Sequence, residues 1–460
     1  MSVQKQRLKV VIAGAASAQW AHSIAKDLVV ALSHDRVVST YDPELVLEDV
    51  DGPRLEPMVA LTSKVAAKLG RRVEVTHTTD QRRALEGARF CVVSIGVGTL
   101  EAMQHDLELP REYGIYQSVG DTISVGGAIR AARNIPAMLS IARDLESLGA
   151  DDPWMINLTN PLSMLCRAVT RETNCRTVGC CHELYGGMRV LADWLGFDSD
   201  LWRYNCEVDV VGINHCGWLQ SLKVNGEDGL EKLRGYLESR GMKPGRNRLY
   251  DSECPDLRGQ NIKIHLFLTH GVLPYSGDRH TGEFFEEFIR RDTNKGADWG
   301  VILTTAQERL VHHRGGGRET INRILDGSEK FDLTLSQEAA GRIIPAMVFD
   351  EPFRDVGNVP YEGNSLPGVP EGAVIERMVT YDGRGAHPEP VEPLPSPLQE
   401  HLASTAGFVE DIVQATVQRD RTLFIEALTH DPLMKNMDPK KIPELVDRLF
   451  KAHEAYLGAW

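Results

Sequence analysis

The chain has 460 residues, 42% hydrophobic and 25% charged, which supports a sizeable core and exceeds the usual size of one domain. With 51 Lys and Arg against 65 Asp and Glu, the net charge is −14. No dense basic run relieves it, which disfavours a nucleic-acid surface. There is no run of 18 apolar residues and no signal-type apolar segment before the first strand pattern. The eight cysteines are scattered, so the expectation is a cytoplasmic chain with reduced thiols and no membrane contact.

The first third alternates strand and helix patterns. "LKVVIAG" reads as a buried strand and "SAQWAHSIAKDLVVAL" as an amphipathic helix. "RVVSTYD" is expected to be the second strand, with Asp42 at its end. A helix in "RLEPMVALTSKVAAKLG" precedes strands in "RRVEVTHTTD" and "ARFCVVSIGVG". A long helical region, "ISVGGAIRAARNIPAMLSIARDLESLG", leads to the strand "DPWMINLTNP". This alternation predicts an α/β fold with a Rossmann-like, doubly wound parallel sheet. From about residue 200 the pattern is mixed: strands in "CEVDVVGI" and "LQSLKVNG", then helices. A Pro- and Gly-rich stretch over 351–397 is expected to hold two short strands before a helical C-terminus. The expected division is a dinucleotide-binding unit over 1–200 and a mixed α+β unit over 201–460.

The turn "VIAGAASAQW" stands where a dinucleotide fold binds pyrophosphate at a helix N-terminus. Only Gly14 of the three glycine places is kept; Ala16 and Gln19 hold the others. Ala16 still permits close backbone approach, and Ser17 is expected to cap the helix. Asp42 would bond the ribose hydroxyls of NAD. A ligand-free strand–turn–helix is the equal alternative. "SIGVG" offers a second bare edge at Gly96. "INLTNP" brings Asn157 and Asn160 to a Pro-forced turn, where Asn160 would hold nicotinamide or a substrate hydroxyl.

"TVGCCHELYGG" and "VVGINHCGW" each place soft or nitrogen ligands between apolar flanks. Cys181 and His215 would suit a divalent ion such as manganese, with substrate oxygens completing its shell. Spacing alone favours an ordinary buried cysteine, as assigned to Cys175, Cys180 and Cys206. "YSGDRHTGEFF" gathers Asp278, Arg279, His280 and Glu283, an acid/base and anion-binding cluster or, alternatively, first-turn helix acids. "VHHRGGGRE" is expected to be an exposed loop.

A "GAAS" turn, "GIYQSVGDTISVGGAIRAARNIP", "INLTNP", "GCCHE", "GINH", "GDRH" and "RDRTLFIEALTHDPL" follow one another in this order. In that set the chain resembles, over nearly its full length, the family 4 glycoside hydrolases, glycosidases that require NAD and a divalent metal. Within that family it looks most like the α-galacturonidase branch. Ala16 departs from the family's usual glycine in the phosphate turn. The resemblance implies transient oxidation at sugar C3 by NAD, deprotonation at C2, elimination at C1, water addition and return of the hydride. It implies that Cys181 and His215 hold Mn2+ or another divalent cation against O2 and O3, as a Lewis acid. It places Asp278 where the family carries its base. His182 follows the metal cysteine where 6-phospho-glycosidases carry Asp or Asn, which argues for a non-phosphorylated glycoside. His182 is therefore counted with Asp278 as a catalytic candidate, and Arg279 and His280 as substrate contacts. The resemblance also implies a homodimer or homotetramer. An α-glucosidase or α-galactosidase of the same family, a 2-hydroxyacid dehydrogenase of related fold and a non-catalytic NAD-binding regulator are the alternatives.

Overall fold

The computed structural model describes residues 5–17, 20–247, 255–311, 317–435, 437–458 and 460. The first strand, β1 (Gln6–Ala13), is buried on both faces through Val10, Val11 and Ile12. Such a strand belongs inside a sheet covered by helices on either side. It pairs in parallel with β2 (Tyr41–Glu48) and β4 (Ala88–Val93), and β2 pairs with β3 (Glu74–Thr78). β4 continues in parallel to β5 (Trp154–Asn157) and β5 to β6 (Arg176–Gly179). The parallel half is therefore ordered β3-β2-β1-β4-β5-β6, the doubly wound arrangement expected of the first unit.

The second unit extends the same sheet instead of building another. Its strands are β7 (Cys206–Ile213), β8 (Cys216–Val224), β9 (Glu227–Asp228), β10 (Leu273–Pro274), β11 (Phe353–Pro360), β12 (Val374–Asp382) and β13 (Gly385–Pro388). β11 lies antiparallel to β6, with Asn358 opposite Gly179, and the path continues through β12, β7, β8 and β10. Residues 351–397 thus hold three strands, one more than expected.

The expected second strand is a correction. Asp35–Thr40 forms a short helix whose N-terminal His34 side chain accepts the Arg36 N–H, and β2 begins only at Tyr41. Asp42 is therefore exposed at the amino end of β2, opposite Arg7 in β1. That is the far edge of the sheet from Gly14.

One lateral row crosses the antiparallel half: Gly179, Asn358, Glu376, Gly212 and Gly217. Gly217 makes room for Tyr275, since a Cβ there would lie 2.0 Å from its phenol oxygen, and Gly212 lets the β8 backbone approach, since a Cβ there would lie 2.4 Å from Cys216 O. Tyr275 Oη donates to buried Glu376 at 2.5 Å, and Asn358 Nδ2 donates to the same carboxylate at 2.9 Å. The bare positions in "GINHCG" thus serve close packing.

The long helix Ser124–Leu148 packs beside the parallel half. Asp431, from the late "THDPL", accepts the Ser124 hydroxyl at its first turn. Arg133 on this helix makes a fully buried bidentate pair with Asp106, which His453 joins at 2.9 Å. Among the described residues no helix is long and apolar enough to cross a membrane.

Candidate active site

The carboxyl ends of the parallel strands converge on one edge, where such folds bind ligands. After β1, Gly14 takes φ +85° and approaches the loop after β4 so closely that a Cβ would lie 2.3 Å from Ser94 O. Gly14 N and Ala15 N donate to Glu48 O, and Ala16 N donates to Asp49 Oδ2 at 3.0 Å. The helix that follows, Ala21–Leu32, has no side-chain cap. Ser17 does not cap it because the helix starts four positions later; this expectation is corrected. Gln19 lies outside the described residues. The acid at the carboxyl end of β2 is Asp49, which takes the place expected of Asp42. A bare turn, an uncapped helix N-terminus and a carboxylate at the end of β2 fit a dinucleotide.

Gly96 is exposed after β4, and a Cβ there would meet open space. Asn157 is buried and shapes the next turn, its Oδ1 accepting from Thr159 N at 2.9 Å. Asn160 accepts Arg130 Nε on its carbonyl at 3.0 Å, which brings the long helix to this edge.

Cys181 follows β6, and His215 sits in the tight turn between β7 and β8 at φ +71°. Asn214, next to His215, is fully buried, and its side-chain amide has no hydrogen-bond partner among the described residues; its dipole favours the charged forms of both Cys181 and Glu376. His215 Nδ1 lies 2.8 Å from Thr122 Oγ1 and 2.9 Å from His280 Nδ1. Thr122 donates its one proton to Asp121 Oδ1 at 2.9 Å, so it accepts from His215. That places the imidazole proton on Nδ1 and leaves Nε2 as a lone pair, the form a metal requires. His280 Nε2 faces Glu183 at 3.7 Å, and Glu183 accepts the Gly277 N–H at 3.0 Å.

Electrostatics agree with this protonation pattern. Burial, then His280, pushes His215 down to about 3, so its ring is neutral. Burial opposes ionisation of Glu183, but His280 and the Gly277 N–H help to outweigh it and hold the carboxyl at about 2. Burial and the carboxylates of Glu376 and Glu183 push the Cys181 thiol well up. A divalent cation reverses that local balance and favours the thiolate. One sulfur, one imidazole lone pair and adjacent carboxylates suit a borderline metal ion. Among the described residues no three His, Cys, Asp or Glu side chains are spaced to hold a metal on their own, in keeping with a site that substrate oxygens complete.

His182 lies beside Cys181, with Nδ1 3.2 Å from Glu338 Oε1 and its ring 5.4 Å from that of Trp20. The Glu338 hydrogen bond holds its pKa above the usual histidine range. Cys175 and Cys180 are buried, and Cys206 half-buried.

Two expectations from "GDRH" are corrected. The Asp278 oxygens accept from Ile262 N at 2.8 Å and Lys263 N at 2.9 Å. Asp278 thus caps the helix Asn261–His270 instead of facing His215, and not the segment near "TGEFF" either. Arg279 is also occupied: Nε donates to Ser118 O at 3.1 Å, and its terminal nitrogens bind Glu308 at 3.1 Å and Thr304 at 2.5 Å. Four of the five N–H donors of Arg279 are thus engaged within the protein, and its charge is paired with Glu308.

Glu283 is buried and accepts Val119 N and Gly120 N, both at 2.6 Å, fixing the loop that carries Asp121 and Thr122. Asp121, Thr122, Arg130, Glu183, Arg309 and Glu376 were not singled out by sequence reasoning. For Asp121, Thr122 and Glu183 the one signal was membership of "SVGDT" and "CHE", and for Arg130 of "ISVGGAIRAARNIP"; Arg309 and Glu376 lie in no motif of the set. His312, His313, Gly315 and Gly316 lie outside the described residues.

Comparison with known proteins bears on this arrangement. The family 4 glycosyl hydrolase model matches residues 9–197, and the C-terminal domain model of the same family matches 210–434. An α-galacturonidase from Thermoanaerobacterium saccharolyticum is 28% identical, covering 98% of this chain and 97% of that protein. The solved lplD structure from Bacillus subtilis is 26% identical, with a TM-score of 0.84 over 96% of this chain and 100% of that one. A 6-phospho-α-glucosidase from gut microorganisms, solved with NAD and Mn2+, shares the fold at 18% identity and a TM-score of 0.80 over 99% and 100% of the two chains. The two family models between them span most of the molecule, which sets aside the dehydrogenase reading: the chain belongs to the family 4 glycosyl hydrolases.

Proposed function

We propose that this protein hydrolyses a non-phosphorylated α-galacturonide or a related uronide, with NAD and a divalent cation such as Mn2+. The observation that carries this is the convergence of the Cys181 thiol and the free Nε2 of His215 beside the edge that presents the Gly14 turn. The full-length likeness to a galacturonidase supports the uronide. When bound, NAD supplies a reversible hydride acceptor and the cation a Lewis acid at the sugar hydroxyls.

The chain's own residues set this up. Gly14, Ala16 and Asp49 receive the dinucleotide, and Gly96 and Asn160 line the path toward the sugar. Thr122 and Asp121 orient His215 through its Nδ1 proton. Glu183 and His280 form a proton-holding pair next to the metal ligands, with His182 on the other side of Cys181. Residues 1–200 act as the cofactor unit, and 201–460 complete the metal site and carry subunit contacts of a cytoplasmic homodimer or homotetramer.

The test is a panel of aryl α-galacturonide, α-glucuronide, α-galactoside, α-glucoside and 6-phospho-glycosides, each assayed with and without NAD and Mn2+. Turnover of a uronide above the others, dependent on both additions, is the expected result. Best turnover on a 6-phosphate overturns the reading.

A further inference from the structure

Two arginines at this edge have no assignment in the chemistry above. Arg130, on the helix Ser124–Leu148, donates only its Nε, to Asn160 O at 3.0 Å. Its two terminal nitrogens make no hydrogen bond among the described residues, and the side chain is half-buried. Arg309, on the helix Ala306–Val311, has a buried Nε with no partner among the described residues. A buried guanidinium donor without an acceptor is unfavourable unless something else supplies one.

Both cations act on Asp121. Burial opposes its ionisation, but Arg130 and Arg309 outweigh it and hold the carboxyl below the usual range. The same carboxylate accepts from Thr122, which meets His215. Asp121, on which both arginines act, is therefore two hydrogen bonds from a metal candidate. Two neighbouring cations already have their own counter-ions. Arg133 pairs with Asp106 at 2.6 Å, and Arg279 with Glu308 at 3.1 Å. Arg130 and Arg309 both act on the one Asp121 carboxylate, and neither has a carboxylate within salt-bridge distance among the described residues. Two guanidinium groups thus face one carboxylate on their own side of the site.

We propose that Arg130 and Arg309 form the receptor for the C6 carboxylate of the substrate, whereas Arg279 is already paired with Glu308. The proposal rests on the uronide reading and specifies how that substrate is told from its analogues. A uronate brings one negative charge and two oxygens, which suits guanidinium forks. A hexoside with a neutral C6 hydroxyl leaves both cations unmatched. A 6-phosphate brings about −1.5 to −2 near neutral pH on a bulkier tetrahedral group than the planar carboxylate that guanidinium forks fit.

The test compares 4-nitrophenyl α-galacturonide and α-galactoside on enzyme loaded with NAD and Mn2+, together with calorimetric binding of free galacturonate and galactose. In Arg309→Met and Arg130→Met the uronide-to-galactoside ratio of kcat/KM should fall about 100-fold or more. Galacturonate binding should weaken while galactose binding stays within about threefold, on the scale expected for truncating a desolvated charge partner. Arg309→Lys should recover part of the ratio, because charge is restored without the fork. Arg309 lies on a short peripheral helix, so Arg309→Met and Arg309→Lys decide the matter even if Arg130→Met fails to fold. If the wild type prefers the uronide and the Arg309 variants keep its ratio, the receptor is wrong and the function stands. If the wild type prefers the galactoside or a 6-phosphate, the uronide reading fails and takes the receptor with it.

Discussion

His215 and His280 meet nitrogen to nitrogen, Nδ1 to Nδ1 at 2.9 Å, and a contact that short requires one ring to carry the proton and the other to lack it. Thr122 decides which. Its hydroxyl donates to Asp121 and accepts from His215, so His215 keeps the Nδ1 proton and presents Nε2. Cys181→Ser and His215→Ala should each abolish turnover while leaving the thermal melt nearly unchanged. Thr122→Val should lower Mn2+ affinity by about 10–100-fold, the usual cost of losing a group that orients a metal-bound histidine. Metal content after dialysis reports both effects. Stoichiometric manganese retained by His215→Ala refutes the assignment.

Cofactor dependence without net oxidation is the second expected outcome. Enzyme stripped of nucleotide should be inactive on any glycoside and recover on addition of NAD, with no NADH accumulating. Gly14→Ala should weaken NAD binding, since its Cβ would meet Ser94 O at 2.3 Å and its φ is +85°. Full activity in stripped enzyme contradicts the redox route.

The parallel strands were legible because each, such as "LKVVIAG", is a continuous apolar run bounded by turn residues. The second strand was not. Val37, Val38 and Thr40 look β-forming, yet they lie in a short helix, and Pro43 sits inside the real strand. Placing the strand early put the expected ribose acid at Asp42, at the amino end of β2, instead of at Asp49 just past its carboxyl end. The metal pair was legible as motif, since Cys181 and His215 do come to adjacent turns. What "GDRH" does was not, because it depends on distant partners. Asp278 serves a helix 16 positions upstream, and Arg279 a glutamate 29 positions downstream. No local pattern carries such pairings.

Glu283 gives a pH signature. Burial, helped by Asp121 and opposed by the Val119 and Gly120 amides and by Arg279, raises its carboxyl from 4.5 to about 8. The folded state then holds this proton more tightly than the unfolded chain does. Its stabilisation is complete below about pH 4.5 and is lost as pH rises through about 8. Glu283→Gln keeps an acceptor oxygen for both amides but does not titrate. Between pH 5 and 8 the melting temperature of the wild type should therefore fall more than that of Glu283→Gln. Parallel pH slopes in the two proteins refute the assignment.

The last prediction concerns Asp278. Its carboxylate caps the helix Asn261–His270 through two backbone amides. It also offsets the buried Lys263, whose ammonium donates to the carbonyls of Pro274, Tyr275 and Ser276 at 2.7, 2.9 and 2.8 Å. Asp278→Asn loses half of the cap, which costs about 0.5–2 kcal/mol. It also strands a buried ammonium, which raises the total toward about 3–5 kcal/mol. Replacing Lys263 by Met in the same protein should recover part of that loss, because the unpaired charge goes with it. Exchange of the sugar's C2 hydrogen with solvent should persist within about tenfold in any variant that folds, a much smaller change than the loss of a general base, about 10²–10⁴-fold. The competing role predicts the reverse pattern: exchange lost by orders of magnitude at unchanged melting temperature. Because both oxygens already face amides, a carboxylate so placed has to break its cap before it can reach a substrate proton.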